Sequence, residues 1–161
     1  MITHELSPNR AAFKKKLLLA AIQKHQTVID DFRQSIAEMT QSESAEDEKE
    51  FASSQQSFNK ETIHHANQLS DQLAFAAVEM TLLQNMLHNI ETIYDRVKLG
   101  SAVVTDQDIF FVSASIERFE VDGHKVFGLS TKSPLFKTME GKKSGDEFTY
   151  NKRTYRILEV F

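Results

Sequence analysis

Apolar residues in the first hundred positions recur at alternating spacings of four and three, the pattern of helices that pack against each other. Each series predicts one long helix, the first beginning near Pro8. The first series is Leu18, Ile22, His25, Ile29, Phe32, Ile36 and Met39, and the second is Leu69, Leu73, Ala76, Met80, Leu83, Leu87, Ile90, Tyr94 and Val97.

The segment 40–58 between the two series has no apolar periodicity and is rich in Ser, Gln and Glu. A polar connection of this length favours two helices that fold back on each other and bury their apolar stripes together. We therefore predict an antiparallel coiled-coil hairpin over residues 1–98, with its tip at about 41–58.

The pattern changes after Gly100 to short β-prone runs separated by glycine. The runs are 102–105, 109–113, 119–121, 125–129 and 154–160. Asp122-Gly123 predicts a tight hairpin that leads into a meander, and Pro134 opens a short helical turn that ends at Met139. Residues 99–161 are thus predicted to form a small, mainly antiparallel β domain, which makes the fold class α+β.

Composition narrows the possible functions. All five glycines lie after position 99, which excludes glycine-rich phosphate loops from the first half. There is no cysteine, so disulfides, thiolate zinc sites and thiol nucleophiles are excluded. No apolar run approaches about 18 residues, and we expect a soluble, cytoplasmic protein without a membrane partner.

Acidic charge is concentrated in the predicted tip. The chain has a net charge of −4, which argues against nucleic-acid binding through the overall field. The segment 43–50 contains Glu43, Glu46, Asp47, Glu48 and Glu50 against Lys49 alone. This cluster is either a solvated turn or a set of carboxylates delivered into the active site of another protein, where they help to hold Mg²⁺. No second acidic cluster or histidine set faces the tip, so the chain is not expected to be an enzyme.

Histidines occupy two kinds of position. His25 lies within the first apolar series, either as a polar residue that fixes the register of the hairpin, which we favour, or as a buried functional imidazole. His64 and His65 are adjacent and would point about 100° apart on a helix, so we expect ordinary exposed side chains rather than a metal site.

Four segments of the second half carry a resemblance to a known family. They are Val97-Lys98-Leu99-Gly100-Ser101-Ala102-Val103, Leu129-Ser130-Thr131-Lys132-Ser133-Pro134-Leu135, Gly141-Lys142-Lys143-Ser144-Gly145-Asp146 and Tyr155-Arg156-Ile157. In this order, behind a helical hairpin with an acidic tip, they resemble the Gre-type transcript cleavage factors of bacterial RNA polymerase, GreA and GreB. Taken singly, Gly141, Gly145 and Asp146 are also ordinary turn residues, and a Ser-Pro step often only starts a helical turn.

The resemblance implies an FKBP-like second domain that docks on the rim of the polymerase secondary channel through Ser130, Ser133 and Pro134. It also implies that the hairpin enters the channel, where tip carboxylates help to bind the second catalytic Mg²⁺ of the polymerase. The polymerase then cleaves backtracked RNA, and the factor has no cofactor of its own. Any contact with nascent RNA would occur only within that complex.

The tip differs from the family pattern Asp-Leu-Ser-Glu-Asn, because this chain has Glu43-Ser44-Ala45-Glu46-Asp47 instead. Glu43, Glu46 and Asp47 are the candidate metal contacts. Three alternatives therefore stay open: a channel-binding regulator that does not stimulate cleavage, a plain coiled-coil interaction module, and, by fold analogy alone, a peptidyl-prolyl isomerase. A modest group of lysines near the docking segment, Lys132, Lys137, Lys142 and Lys143, would meet an acidic polymerase surface or simply offset nearby acids.

Overall fold

The computed structural model describes residues 6, 8–47 and 53–161, with the side chains of 42–59 outside the description. The fold is α+β, and its elements follow one another as α1 (Arg10–Asp47), α2 (Ser53–Met86), β1 (Ala102–Thr105), β2 (Ile109–Ser113), β3 (Ile116–Val121), β4 (His124–Ser130), α3 (Pro134–Met139), β5 (Glu147–Tyr150) and β6 (Arg153–Val160). Two compact units result, one made of residues up to Lys24 with Thr81–Phe161 and the other of His25–Met80.

The unit His25–Met80 is a pair of helical segments that meet through the predicted apolar series. Ile29, Ala76 and Met80 are buried. His25 is also buried, and its Nε2 donates a hydrogen bond to the carbonyl oxygen of Ala76 at 2.8 Å. A buried polar contact between the two segments is what a register-fixing residue would make. His64 and His65 are exposed, as predicted.

The prediction that the second helix continues as far as Val97 is wrong. Helix α2 ends at Met86, and the amides of Leu87, His88 and Asn89 bond to carbonyls three residues earlier in successive turns. Leu87 is 41% exposed, whereas Ile90 and Val97 are buried in the two apolar cores beside the sheet. The apolar series continues beyond Met86 because Ile90 and Val97 pack in the cores of the sheet domain, where no helical conformation is needed.

Helix extends further into the polar connection than the sequence pattern predicts. Helix α1 continues from Met39 to Asp47, and α2 begins at Ser53. Glutamate, glutamine and alanine are good helix formers even without an apolar stripe, which explains the extension. Over the residues described, neither helix contains a stretch long and apolar enough to cross a membrane.

The six strands form one mixed sheet in the order β3-β4-β2-β1-β6-β5. The predicted hairpin between β3 and β4 is confirmed, with positive φ at both Asp122 (50°) and Gly123 (79°). The predicted meander is wrong, because β4 returns to pair in parallel with β2 and leaves β3 at the edge. The other four pairings are antiparallel.

Both faces of the central strands are covered. Side chains alternate along a strand, so Ala102, Val104 and Phe111 enter one apolar core while Val103 and Phe110 enter the other. The first core is completed by helical residues, namely Phe13, Leu17, Leu18, Ala21 and Leu83. The second is completed by Phe136 and Met139 of α3 and by residues of β5 and β6.

Ion pairs hold the start of α1 against the sheet. Arg10 makes a two-pronged contact with Glu159 of β6, Nε to Oε1 at 2.6 Å and Nη2 to Oε2 at 2.9 Å. Lys16 reaches Asp122 in the β3–β4 turn at 3.0 Å. The first turns of α1 therefore belong structurally to the sheet domain.

Gly128 gives a direct test of how closely β3 and β4 pack. A Cβ at this position would lie 2.6 Å from Ile116 Cβ and 2.7 Å from the Ala114 carbonyl oxygen. We expect Gly128→Ala to lower the free energy of unfolding by about 3 kcal/mol in urea denaturation, because backbone must shift to admit the methyl group. The matched change Gly123→Ala, where space is open and only the positive φ is unfavourable, should cost about 1 kcal/mol. Equal losses for the two variants would contradict the packing argument.

Candidate functional site

The start of helix α3 is built by the Ser-Pro step. Ser133 occupies the N-cap in an extended conformation, and its hydroxyl accepts a hydrogen bond from Phe136 N at 3.2 Å. Pro134 follows in the first turn, where its missing N–H costs nothing. The predicted short helix over these residues is confirmed, and its end faces the second core through Phe136 and Met139.

The hydroxyls of both predicted docking serines bind backbone. Ser130 Oγ accepts a hydrogen bond from Lys132 N at 3.1 Å. The carbonyl oxygen of Ser130 accepts a second hydrogen bond from Ser133 N, also at 3.1 Å. Pro134 is exposed. Ser130, Ser133 and Pro134 therefore span the short connection from the end of β4 to the start of α3, and the two serine hydroxyls shape that connection.

Three of the four family-like segments are joined by backbone hydrogen bonds. Val97 N donates to Lys142 O and Gly141 N donates to Val97 O, both at 2.9 Å. Gly145 N donates to Ile157 O at 2.8 Å, and Ile157 N donates to Asp146 O at 2.9 Å. The junction after the hairpin, the Gly-Lys turn and the last strand thus support one another, although they are far apart in sequence.

An open pocket lies on the second face of the sheet, within the unit that contains Thr81–Phe161. It has a volume of about 530 Å³, and its apolar lining is Phe110, Phe127, Leu135, Tyr150 and Tyr155. Asp108, Asn151 and Arg153 supply polar groups. We call this site the aromatic pocket. Sequence reasoning missed this pocket because its lining residues come from separate strands. The signal that the sequence held was the number of aromatic residues in the predicted strands.

Tyr155, which lines the aromatic pocket, packs against two other aromatic rings. Tyr155 is parallel to Phe148, with ring centres 4.9 Å apart, and meets Phe110 edge to face at 6.1 Å. The Arg153 guanidinium lies 5.9 Å from the centre of the Tyr155 ring. An aromatic lining with the Arg153 guanidinium beside it suits an apolar group that has an anion next to it.

Lys14 is a second feature that the sequence analysis did not single out. It is fully buried, its Nζ donates to Thr92 O at 2.6 Å, and Nζ lies 4.5 Å from the centre of the Tyr94 ring. Burial lowers the pKa of Lys14 from its usual 10.5 to about 8. The apolar series gave no signal for Lys14, because its alternating spacing continues backwards from Leu18 to the exposed Lys15.

The side chains of Glu43, Glu46 and Asp47 lie outside the described residues. The backbone of α1 is helical through Asp47. Among the side chains that are described, no group of three or more His, Asp or Glu residues is placed to hold a metal ion.

Solved structures of GreA homologues are similar to this chain. The GreA factor homolog 1 (Gfh1) protein of Thermus thermophilus is 18% identical, with a TM-score of 0.33, over 88% of this chain and 95% of its own. Thermus aquaticus Gfh1 is 17% identical, with a TM-score of 0.31, over 88% of this chain and 94% of its own. No family model matches the sequence, and a search of curated proteins finds no match.

The capping role of Ser133 predicts a stability effect. We expect Ser133→Ala to lower the free energy of unfolding by about 1 kcal/mol in urea, because Phe136 N loses its acceptor. Ser133→Asp should retain most of the stability, since a carboxylate also caps a helix. A Ser133→Ala protein as stable as the parent would show that the cap contributes nothing.

The buried Lys14 predicts a pH dependence. Its folded pKa of about 8 lies below the unfolded value, so the unfolded chain binds more protons between about pH 8 and 10.5, and stability from this group rises across that window. We expect Lys14→Met to be more stable than the parent at pH 7, by on the order of 2 kcal/mol, because it removes a desolvated charge. The advantage should shrink towards pH 10.5 in denaturation curves. Lys15→Met, at an exposed neighbour, serves as the control, and a Lys14→Met advantage that stays constant with pH would contradict the assignment.

Proposed function

We propose that this protein is a Gre-like transcription elongation regulator that binds bacterial RNA polymerase at its secondary channel. The sheet domain docks on the channel rim through the loop that contains Ser130, Ser133 and Pro134. The acidic end of the hairpin reaches towards the active-site Mg²⁺ and modulates or stimulates cleavage of backtracked RNA. The protein acts through the catalytic site of the polymerase, meets nascent RNA only in that complex, and works in the cytoplasm.

The observation that carries this proposal is the joint placement of three of the four family-like segments. They lie apart in the sequence, and in the structure the junction at Val97, the turns at Gly141 and Gly145 and the strand at Ile157 are bonded to one another. Such agreement between motif order and mutual contact supports a Gre-type domain more strongly than any one turn residue does. Gly141 and Gly145 both adopt positive φ, which accounts structurally for glycine at these two positions.

The proposed role of the tip depends on its carboxylates. Helix α1 continues through Asp47, and positions three and four apart fall on the same side of a helix. Carboxylate oxygens are the protein ligands that Mg²⁺ prefers, so Glu43, Glu46 and Asp47 suit a shared ion chemically. A second Mg²⁺ in such a site would orient and activate the attacking water.

The departure of the tip from the family pattern favours one alternative. A chain with Glu43-Ser44-Ala45-Glu46-Asp47 in place of Asp-Leu-Ser-Glu-Asn would still enter the channel but would inhibit or regulate transcription without stimulating cleavage. The two versions share the docking surface and differ only in what the tip does.

Binding to polymerase is the first test. We expect the purified protein to associate with bacterial core RNA polymerase at low micromolar concentration in moderate salt, measured by fluorescence anisotropy of a labelled chain. Absence of association under these conditions would overturn the proposal.

Transcript shortening in stalled, backtracked complexes tests the tip. We expect the triple variant Glu43→Gln, Glu46→Gln, Asp47→Asn to bind polymerase normally and to stimulate cleavage at least tenfold less than the parent. The matched control changes three exposed acids in the described part of α1: Asp30→Asn, Asp31→Asn and Glu38→Gln. Equal shortening by the parent and the tip variant would remove the tip from the mechanism, and no shortening by the parent would select the inhibitory version.

A further inference from the structure

Strand β3 forms one edge of the sheet. Among the described residues it pairs only with β4, so one side of its backbone faces away from the sheet. No backbone hydrogen bond beyond that pairing is recorded for Ile116–Val121 within the part of the chain that the structure describes. Such an edge is a ready template for another strand, because its outward N–H and C=O groups are open to new hydrogen bonds.

The exposed side chains of β3 carry opposite charges. Residues 118–121 are exposed and buried in turn, so Arg118 and Glu120 share one exposed face of the strand. Phe119 and Val121 enter the first core on the other face. Glu120 lies opposite Lys125 of β4, which is also exposed. Among the described side chains no salt bridge is recorded for these three charged residues, so they are available to charges on an added strand.

A second copy of the chain complements this charge pattern. When two β3 strands pair antiparallel about a two-fold axis at Phe119, Arg118 of each strand lies directly opposite Glu120 of the other. The symmetry repeats the contact, so the interface contains two Arg–Glu pairs on one face of the joined sheets. Each Glu120 carboxylate then has Lys125 of its own copy on one side and Arg118 of the second copy on the other.

The length of the regular part of β3 limits the strength of such a contact. The pairing of β3 with β4 shifts register between Ile116 and Phe119, which marks a β-bulge in the first half of the strand. Regular pairing with an added strand is therefore confined to the residues from Arg118 onwards. Charged residues at a sheet edge prevent pairing when the facing charges repel, whereas here the antiparallel register brings opposite charges together.

We infer that β3 is a self-association surface, at which two copies of the chain join their sheets edge to edge through Arg118 and Glu120. The contact is small, so the dimer is weak, with a dissociation constant of about 100 μM. The inference depends on the edge position and the charges of β3. It does not depend on binding to RNA polymerase, and its test is separate from that of the proposed function.

Sedimentation equilibrium of the full chain tests self-association. We expect a monomer–dimer equilibrium between about 10 μM and about 1 mM. Arg118→Glu and Glu120→Arg should each weaken dimerisation about tenfold, because both cross-strand pairs become pairs of like charge. The matched control is Glu147→Arg, the same charge change at an exposed residue of the opposite edge strand, which should stay within about twofold of the parent. A parent that stays monomeric, or equal losses in Glu147→Arg and Glu120→Arg, would overturn the inference.

A mixture of the two variants tests the register. In an equimolar mixture of Arg118→Glu and Glu120→Arg chains, two acids of one chain face two arginines of the other. The mixed dimer should therefore form with about the affinity of the parent, although each variant alone associates weakly. Recovery in the mixture also shows that both variants are folded. Folded variants that associate no better together than apart would overturn the pairing about Phe119.

Amide hydrogen exchange locates the contact in the unaltered chain, without any substitution. We expect the outward-facing amides within 118–121 to exchange about fourfold more slowly at about 1 mM than at about 10 μM, because most chains are dimeric at the higher concentration. The amides of Glu147–Tyr150, on the opposite edge strand, serve as the internal control and should not change. Protection that is absent from β3, or that is confined to other elements, would overturn the inference.

Discussion

Burial of strands β1 and β2 on both faces is the constraint on which the sheet domain depends. Every residue of these two strands is buried, so each face must be covered by something outside the sheet. Helical residues such as Phe13 and Leu17 cover one face, and α3 covers part of the other. Because α3 has only 6 residues, it leaves Phe110 and Phe127 beside an open pocket. The aromatic pocket is thus a by-product of how little helix this face carries.

Local signals predicted much of this fold, and long-range packing accounts for what they missed. The hairpin at Asp122-Gly123 and the helix at Pro134 were predictable because turn and cap chemistry is decided by neighbouring residues. The end of α2 was not, because an apolar residue such as Ile90 satisfies the same spacing whether it packs on a helix or on a sheet. The parallel pairing of β2 with β4 likewise depends on the placement of whole strands.

The Ser-Pro step predicted the start of a short helix, and that part is confirmed. The docking role of Ser130, Ser133 and Pro134 stays a prediction, because a serine in a motif can cap a helix or contact a partner, and only the folded structure reveals which group its hydroxyl meets. The pocket escaped notice because residues from Asp108 to Tyr155 line it, and no short motif spans that distance. Surface chemistry assembled from several strands is the part of a site that sequence patterns describe least well.

The contact between Arg10 and Glu159 joins residues 149 positions apart, and Phe13 packs near Phe161 in the same core. During synthesis, the start of α1 leaves the ribosome long before these partners exist. Its apolar face therefore has no native core to enter until almost the whole chain has been made, and contacts of such high sequence separation slow folding. Nascent chains of this protein should consequently expose Phe13 and Leu17 for most of translation, which makes them natural clients for chaperones that bind apolar helical segments.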